Sequence, residues 1–68
     1  MYLRDLVEAV DGNCLIDVFQ IGTDEQLTYF DSCDVENIYI DCCVLEINSK
    51  IEDGKAVIVV YIDKAEIE

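Results

Sequence analysis

The sequence predicts an α+β fold: an N-terminal helix packed on a four-stranded antiparallel sheet made of two hairpins. Three observations carry this reading. Leu3, Leu6, Val7 and Val10 recur at helical spacing. Two runs of β-forming residues, Cys14 to Ile21 and Leu27 to Ser32, flank a turn-like Gly22-Thr23-Asp24-Glu25. Near the C-terminal end, Asp53-Gly54, a favoured two-residue hairpin loop, separates two further apolar runs.

The helix is short and amphipathic, with Arg4, Asp5 and Glu8 between its apolar positions. Asp11-Gly12-Asn13 stops it, and Gly12 suits the left-handed position after a helix end. Asp34 to Asp41 reads two ways. Val35, Ile38 and Tyr39 suit a helical turn, whereas Ile38 and Ile40 suit a strand; the acids and Asn37 favour a short irregular or helical connection. Setting the last loop at Asp53-Gly54 pairs Glu52 with Lys55 and fixes everything beyond it. One face then carries Ile51 with Ala56, Ser49 with Ile58, Ile47 with Val60 and Leu45 with Ile62, apolar except for Ser49. The other face pairs Lys50 with Val57, Asn48 with Val59, Glu46 with Tyr61 and Val44 with Asp63. A helix this short covers one face. The other, around Val57, Val59 and Tyr61, is expected to stay exposed as a surface for self-association or for a partner.

Charge bounds the function. Sixteen acidic residues face four basic ones, Arg4, Lys50, Lys55 and Lys64, giving a formal net charge of −12 with no histidine. A disordered acidic tail would be poor in hydrophobics, but 53% of this chain is hydrophobic, so the acid sits on something that folds. Its 68 residues form one small domain. Such a surface repels nucleic acid and anionic membranes and attracts basic protein surfaces. No basic region followed by an apolar stretch opens the chain, and the longest apolar run, Ala56 to Ile62, is strand-sized. The expected location is the cytoplasm, without membrane contact.

In a reducing cytosol Cys14, Cys33, Cys42 and Cys43 serve as small buried hydrophobes. Zinc is the alternative, but no pair has the usual two-to-four-residue ligand spacing. An enzyme is not expected: the commonest general base is absent, and a cysteine nucleophile lacks a histidine partner. Asp31-x-x-Asp34-x-Glu36 has no glycine where a calcium loop must turn. No cofactor or metal is expected.

The acids therefore matter as a surface. No basic residue occurs between Arg4 and Lys50, a span of 45 residues. Within it lie Asp24, Glu25, Asp31, Asp34, Glu36 and Asp41, with Tyr29 and Tyr39 among them. Carboxylates with aromatic anchors can imitate a phosphate backbone toward a basic partner. The competing reading is that acidity keeps an apolar sheet soluble.

Tyr2-Leu3-Arg4-Asp5-Leu6-Val7-Glu8-Ala9-Val10 resembles the start of many small acidic bacteriophage and prophage proteins, which open with a "T-L-K-D-L-L-E-V-I" helix and pass straight into a strand. Asp34 to Ile47 resembles their "D-x-P-E-x-L-L-D-x-x-V-x-x-I" segment, with Glu36-Asn37 where they tend to carry Pro-Glu. Most such proteins have no assigned activity, so the resemblance carries over no functional residue. It implies a context that includes anti-CRISPR and anti-restriction inhibitors. In that context the expectation is a non-enzymatic acidic inhibitor of a host nucleic-acid-handling protein, acting by nucleic-acid mimicry. The alternative is a structural or oligomerisation module, such as a homodimer, associating through the apolar sheet face.

Overall fold

The computed structural model describes residues 1–10, 14–32 and 38–67. Its elements are helix α1 (Leu3–Ala9), strands β1 (Leu15–Gln20), β2 (Gln26–Asp31), β3 (Glu46–Glu52) and β4 (Lys55–Ile62), and a closing 3-10 helix (Lys64–Ile67). The fold is α+β, with one short N-terminal helix and a four-stranded sheet.

The sheet is mixed, which corrects the expectation of a wholly antiparallel one. The strand order is β2-β1-β4-β3, and β1 runs parallel to β4. Both hairpins are present, β1 with β2 and β3 with β4. The physical reason lies in which strands must be central. β1 and β4 are the most apolar, whereas β2 carries Gln26, Thr28 and Asp31, and β3 carries Glu46, Asn48 and Lys50. A simple meander would place β2 and β3 in the middle of the sheet. Joining the hairpins through β1 and β4 sends the polar strands to the edges, and the second hairpin docks with β4 running in the direction of β1.

At the start of α1, the Tyr2 N–H donates to the Asp5 carboxylate at 3.1 Å. The N–H groups of Leu3 and Arg4 donate to the carbonyls of Cys42 (2.9 Å) and Ile40 (2.7 Å). Donors that a helix end leaves unpaired are thus met by the 39–44 segment. The helix stops at Ala9 and Val10 is extended, one residue earlier than its apolar spacing suggests. The Asp11-Gly12-Asn13 stop lies outside the described residues. So does most of the ambiguous 34–41 stretch; its described part, 38–41, is turn.

The core fills the space between α1, the 39–44 segment and one sheet face. It contains Leu3, Val7, Ile16, Val18, Phe30, Ile40, Cys42, Val60 and Ile62. Cys42 is the small buried hydrophobe expected, and burial pushes its thiol pKa up. Cys14 and Cys43 are half-buried free thiols, and Cys33 lies outside the described residues. The closing 3-10 helix has no clear signal in the sequence. Its Glu66 carboxylate accepts the Cys43 N–H at 2.9 Å and ties the chain end to the strap that meets α1.

The β3–β4 register is the one the Asp53-Gly54 loop dictates, from Glu52 with Lys55 through to Glu46 with Tyr61. Its apolar face, however, is covered only over β4. Val60 and Ile62 are sealed, whereas Leu45, Ile47 and Ile51 remain 54%, 46% and 79% exposed. A helix of two turns and its strap cover the central strands and leave edge strand β3 bare.

Candidate functional site

Strand alternation sends Ile16 and Val18 of β1 into the core and turns Leu15, Asp17 and Phe19 to the opposite sheet face. Among the described residues no α-helix packs on that face. Register sets Tyr29 of β2 and Val59 of β4 on either side of Asp17. Lys50, on β3, lies beyond β4.

Asp17 is the unusual residue of this face: its side chain is only 2% exposed. A buried carboxylate needs partners, and it has two. Gln26 Nε2 donates to Oδ1 at 2.7 Å, and Lys50 Nζ donates to Oδ2 at 2.8 Å. Lys50 also meets Glu52 at 3.1 Å, and its Nζ lies 5.8 Å from the centroid of the Phe19 ring. Phe19 stacks on Tyr61 with ring centroids 5.7 Å apart. Asp17, Phe19, Gln26, Tyr29, Lys50 and Glu52 line an open concavity of about 480 Å³.

Hydrogen bonds from Lys50 to Asp17 and then Glu52 hold its ammonium above the ordinary lysine pKa. The Tyr29 hydroxyl is also raised, first by desolvation and then by the charge of Glu52. The site therefore keeps a charged lysine and a neutral tyrosine. Across the whole face Asp17, Asp31, Glu46 and Glu52 outnumber Lys50 and Lys55.

The arrangement can bind but lacks a nucleophile–base pair. Among the described residues no group of three or more His, Cys, Asp or Glu side chains is placed to hold a metal ion. What it offers is the rings of Phe19 and Tyr29, with Tyr61 stacked on Phe19, an exposed carboxylate at Glu52, and a cation already tied to two acids. Such a surface accepts a guanidinium or ammonium from a partner.

The expected self-association face is corrected in one respect. Val57 and Val59 do lie on the helix-free face, but they are only 1% and 7% exposed. Lys50 explains this: to reach Asp17 from β3 its side chain must cross β4, where these valines lie. Tyr61 is half-buried.

The described acidic residues of the central third sit at separate places in the fold. Asp24 and Glu25 are exposed at the β1–β2 turn, where Lys64 Nζ holds Glu25 at 2.9 Å. Asp31 stands at the far end of β2, roughly 20 Å from Glu25 by strand rise. Asp41 is exposed in the strap and accepts Arg4 Nε at 3.0 Å, which raises the guanidinium pKa. Asp34 and Glu36 lie outside the described residues. Tyr29 is exposed in the concavity, whereas Tyr39 is half-buried and packs on the core.

Sequence reasoning misses Asp17, Gln26 and Lys50 as a constellation. The signal is present all the same: an aspartate in the middle of an apolar strand demands a partner, and Lys50 is the only cation of β3.

Among the described residues no helix is long and apolar enough to cross a membrane. No protein-family model, curated protein or solved structure matches the chain.

Proposed function

We propose that this chain is a non-catalytic acidic binding protein that engages a basic protein surface through the helix-free face of its sheet. The observation that carries the reading is the concavity around Asp17. Its one lysine is neutralised by Asp17 and Glu52, while Phe19 and Tyr29 line it. An incoming arginine meets carboxylate and ring together. The formal charge of −12 steers a basic partner toward the chain. In its most specific form, the one the phage-protein resemblance implies, the partner is a host nucleic-acid-handling defence protein and this chain fills its groove in place of nucleic acid.

Titration calorimetry with a synthetic arginine-rich peptide tests this. Affinity should fall as salt rises. It should fall further in a variant with Asp31→Asn, Glu46→Gln and Glu52→Gln than in a variant with Glu8→Gln, Asp24→Asn and Asp53→Asn, which has the same net charge. Equal losses would mean that net charge alone attracts the peptide and that the face has no special role.

A further inference from the structure

We infer that the outer edge of β3 pairs antiparallel with β3 of a second copy, about a two-fold axis at Asn48. The first observation is an exposed edge whose middle carries no outward charge. β3 lies at the end of the sheet, and every residue in it but Lys50 is exposed. Edge strands are normally protected by proline, a bulge or an outward charge. Here no proline is present, the paired run from Glu46 to Glu52 is unbroken, the one lysine is bent inward onto Asp17, and the remaining charges, Glu46 and Glu52, stand at the two ends of the strand. Residues 1–2 meet residues 43–44, and the Leu45 N–H turns inward to the Tyr61 carbonyl at 2.9 Å, so the unpaired edge begins at Glu46.

The second observation is which backbone groups face outward. Asp53 and Gly54 both have positive φ, 52° and 76°, as a two-residue type I′ loop requires. In such a loop the flanking Glu52 and Lys55 exchange backbone hydrogen bonds. Even-numbered residues of β3 therefore bond to β4, and Ile47, Ser49 and Ile51 turn their N–H and C=O outward. The Ser49 N–H agrees with this direction: it donates to the neighbouring Asn48 side chain at 2.9 Å. A symmetric antiparallel pair must set these odd residues opposite one another, so its axis passes through a residue and never between two.

The third observation is complementarity, which selects among the allowed axes. An axis at Ser49 opposes Glu46 to Glu52 twice, and an axis at Lys50 sets Ile47 against the Asp53-Gly54 loop, beyond the strand. An axis at Ile47 leaves Ile51 unpaired. The axis at Asn48 sets the Leu45 side chain beside the partner's Ile51, twice, opposes no two carboxylates, and places Asn48 against its own copy, while the Lys50 ammonium stays on Asp17. It joins the exposed Leu45, Ile47 and Ile51 into one apolar stripe beside the core side of an eight-stranded sheet. The apolar stripe lies on the core side of the sheet, opposite the partner-binding face.

Two chains of net charge −12 repel each other, so the dimer should tighten as salt is added, the opposite of binding to a basic peptide. Sedimentation equilibrium under reducing conditions, from low to high micromolar protein, should show the mass rising from 7.7 kDa toward twice that value, more steeply at about 0.5 M salt than at about 0.1 M. Ser49→Pro removes an outward N–H without touching the β3–β4 ladder. It should keep the parent circular dichroism spectrum and stay monomeric throughout. Asn48→Cys should form a disulfide between the two introduced thiols on mild oxidation, mapped by peptide mass, because directly opposed residues fall within disulfide reach. A parent chain that stays monomeric at high salt overturns the inference. So does a folded Ser49→Pro variant that dimerises as well as the parent, or a dimeric Asn48→Cys chain that links only through its native cysteines.

Discussion

Replacing Lys50 by Met should damage the fold far more than replacing Asp17 by Leu, although each breaks the same ion pair. Lys50→Met leaves the Asp17 carboxylate, 2% exposed, with Gln26 as its remaining partner. Removing one member of a buried pair costs about 3–5 kcal/mol. The open concavity beside Asp17 admits water, which places the cost of its stranded charge near the lower end, about 3 kcal/mol. A chain of this length has a total stability of roughly 3–10 kcal/mol, so the variant should lose about a third of it or more. Asp17→Leu strands nothing: Lys50 keeps Glu52 at 3.1 Å and reaches solvent, and Gln26 is exposed. An apolar side chain between Tyr29 and Val59 then offsets the lost hydrogen bonds, and stability should change by no more than about 1 kcal/mol. Urea unfolding followed by far-ultraviolet circular dichroism, with reductant at physiological salt, measures both variants. If Asp17→Leu costs as much as Lys50→Met, the carboxylate contributes net stability, and its attraction to Lys50 outweighs the cost of burying it.

Three further outcomes are expected. Val60→Ala should cost about 2 kcal/mol for two buried methyl groups, whereas Ile51→Ala, 79% exposed, should cost under about 0.5 kcal/mol in the monomer; similar costs would show that the helix covers β3 as well as β4. Stability should fall as pH rises above 9: the unfolded Cys42 thiol ionises there while the buried one resists, and at higher pH the Lys50 pair is lost as pH passes its raised pKa. Cys42→Val should move the onset of alkaline unfolding upward, and an unchanged onset would remove Cys42 from the cause. Finally, the urea midpoint should rise between about 0.05 M and about 0.5 M salt as carboxylate repulsion is screened; a falling midpoint would mean that ion pairs outweigh the repulsion.

Local signals in the sequence are strong enough to place α1, the four strands and the full β3–β4 register. The Asp53-Gly54 loop sets that register because a one-residue slip would turn every β3 side chain to the wrong face. The parallel β1–β4 pair is harder to see. Hairpins are local, but their docking depends on which strands tolerate an edge, a comparison of Asn48 and Lys50 with Val57 and Val60 across the whole chain. The site is half legible. Tyr29 and Tyr61 stand out in the sequence, yet Val57 and Val59 read there as open, because alternation assigns a face without showing that a lysine from the next strand crosses it. The acidic block looks continuous in sequence, but β2 separates Asp24 and Glu25 from Asp31.

The proposed binding face is tested most directly by a ¹H–¹⁵N correlation spectrum of the labelled chain, titrated with the arginine-rich peptide. Shift changes should concentrate at Phe19, Tyr29, Lys50, Glu52 and the Gln26 side-chain amide, with the α1 amides unmoved. Changes spread over every acidic loop, or centred on Asp24 and Asp41, would rule this face out.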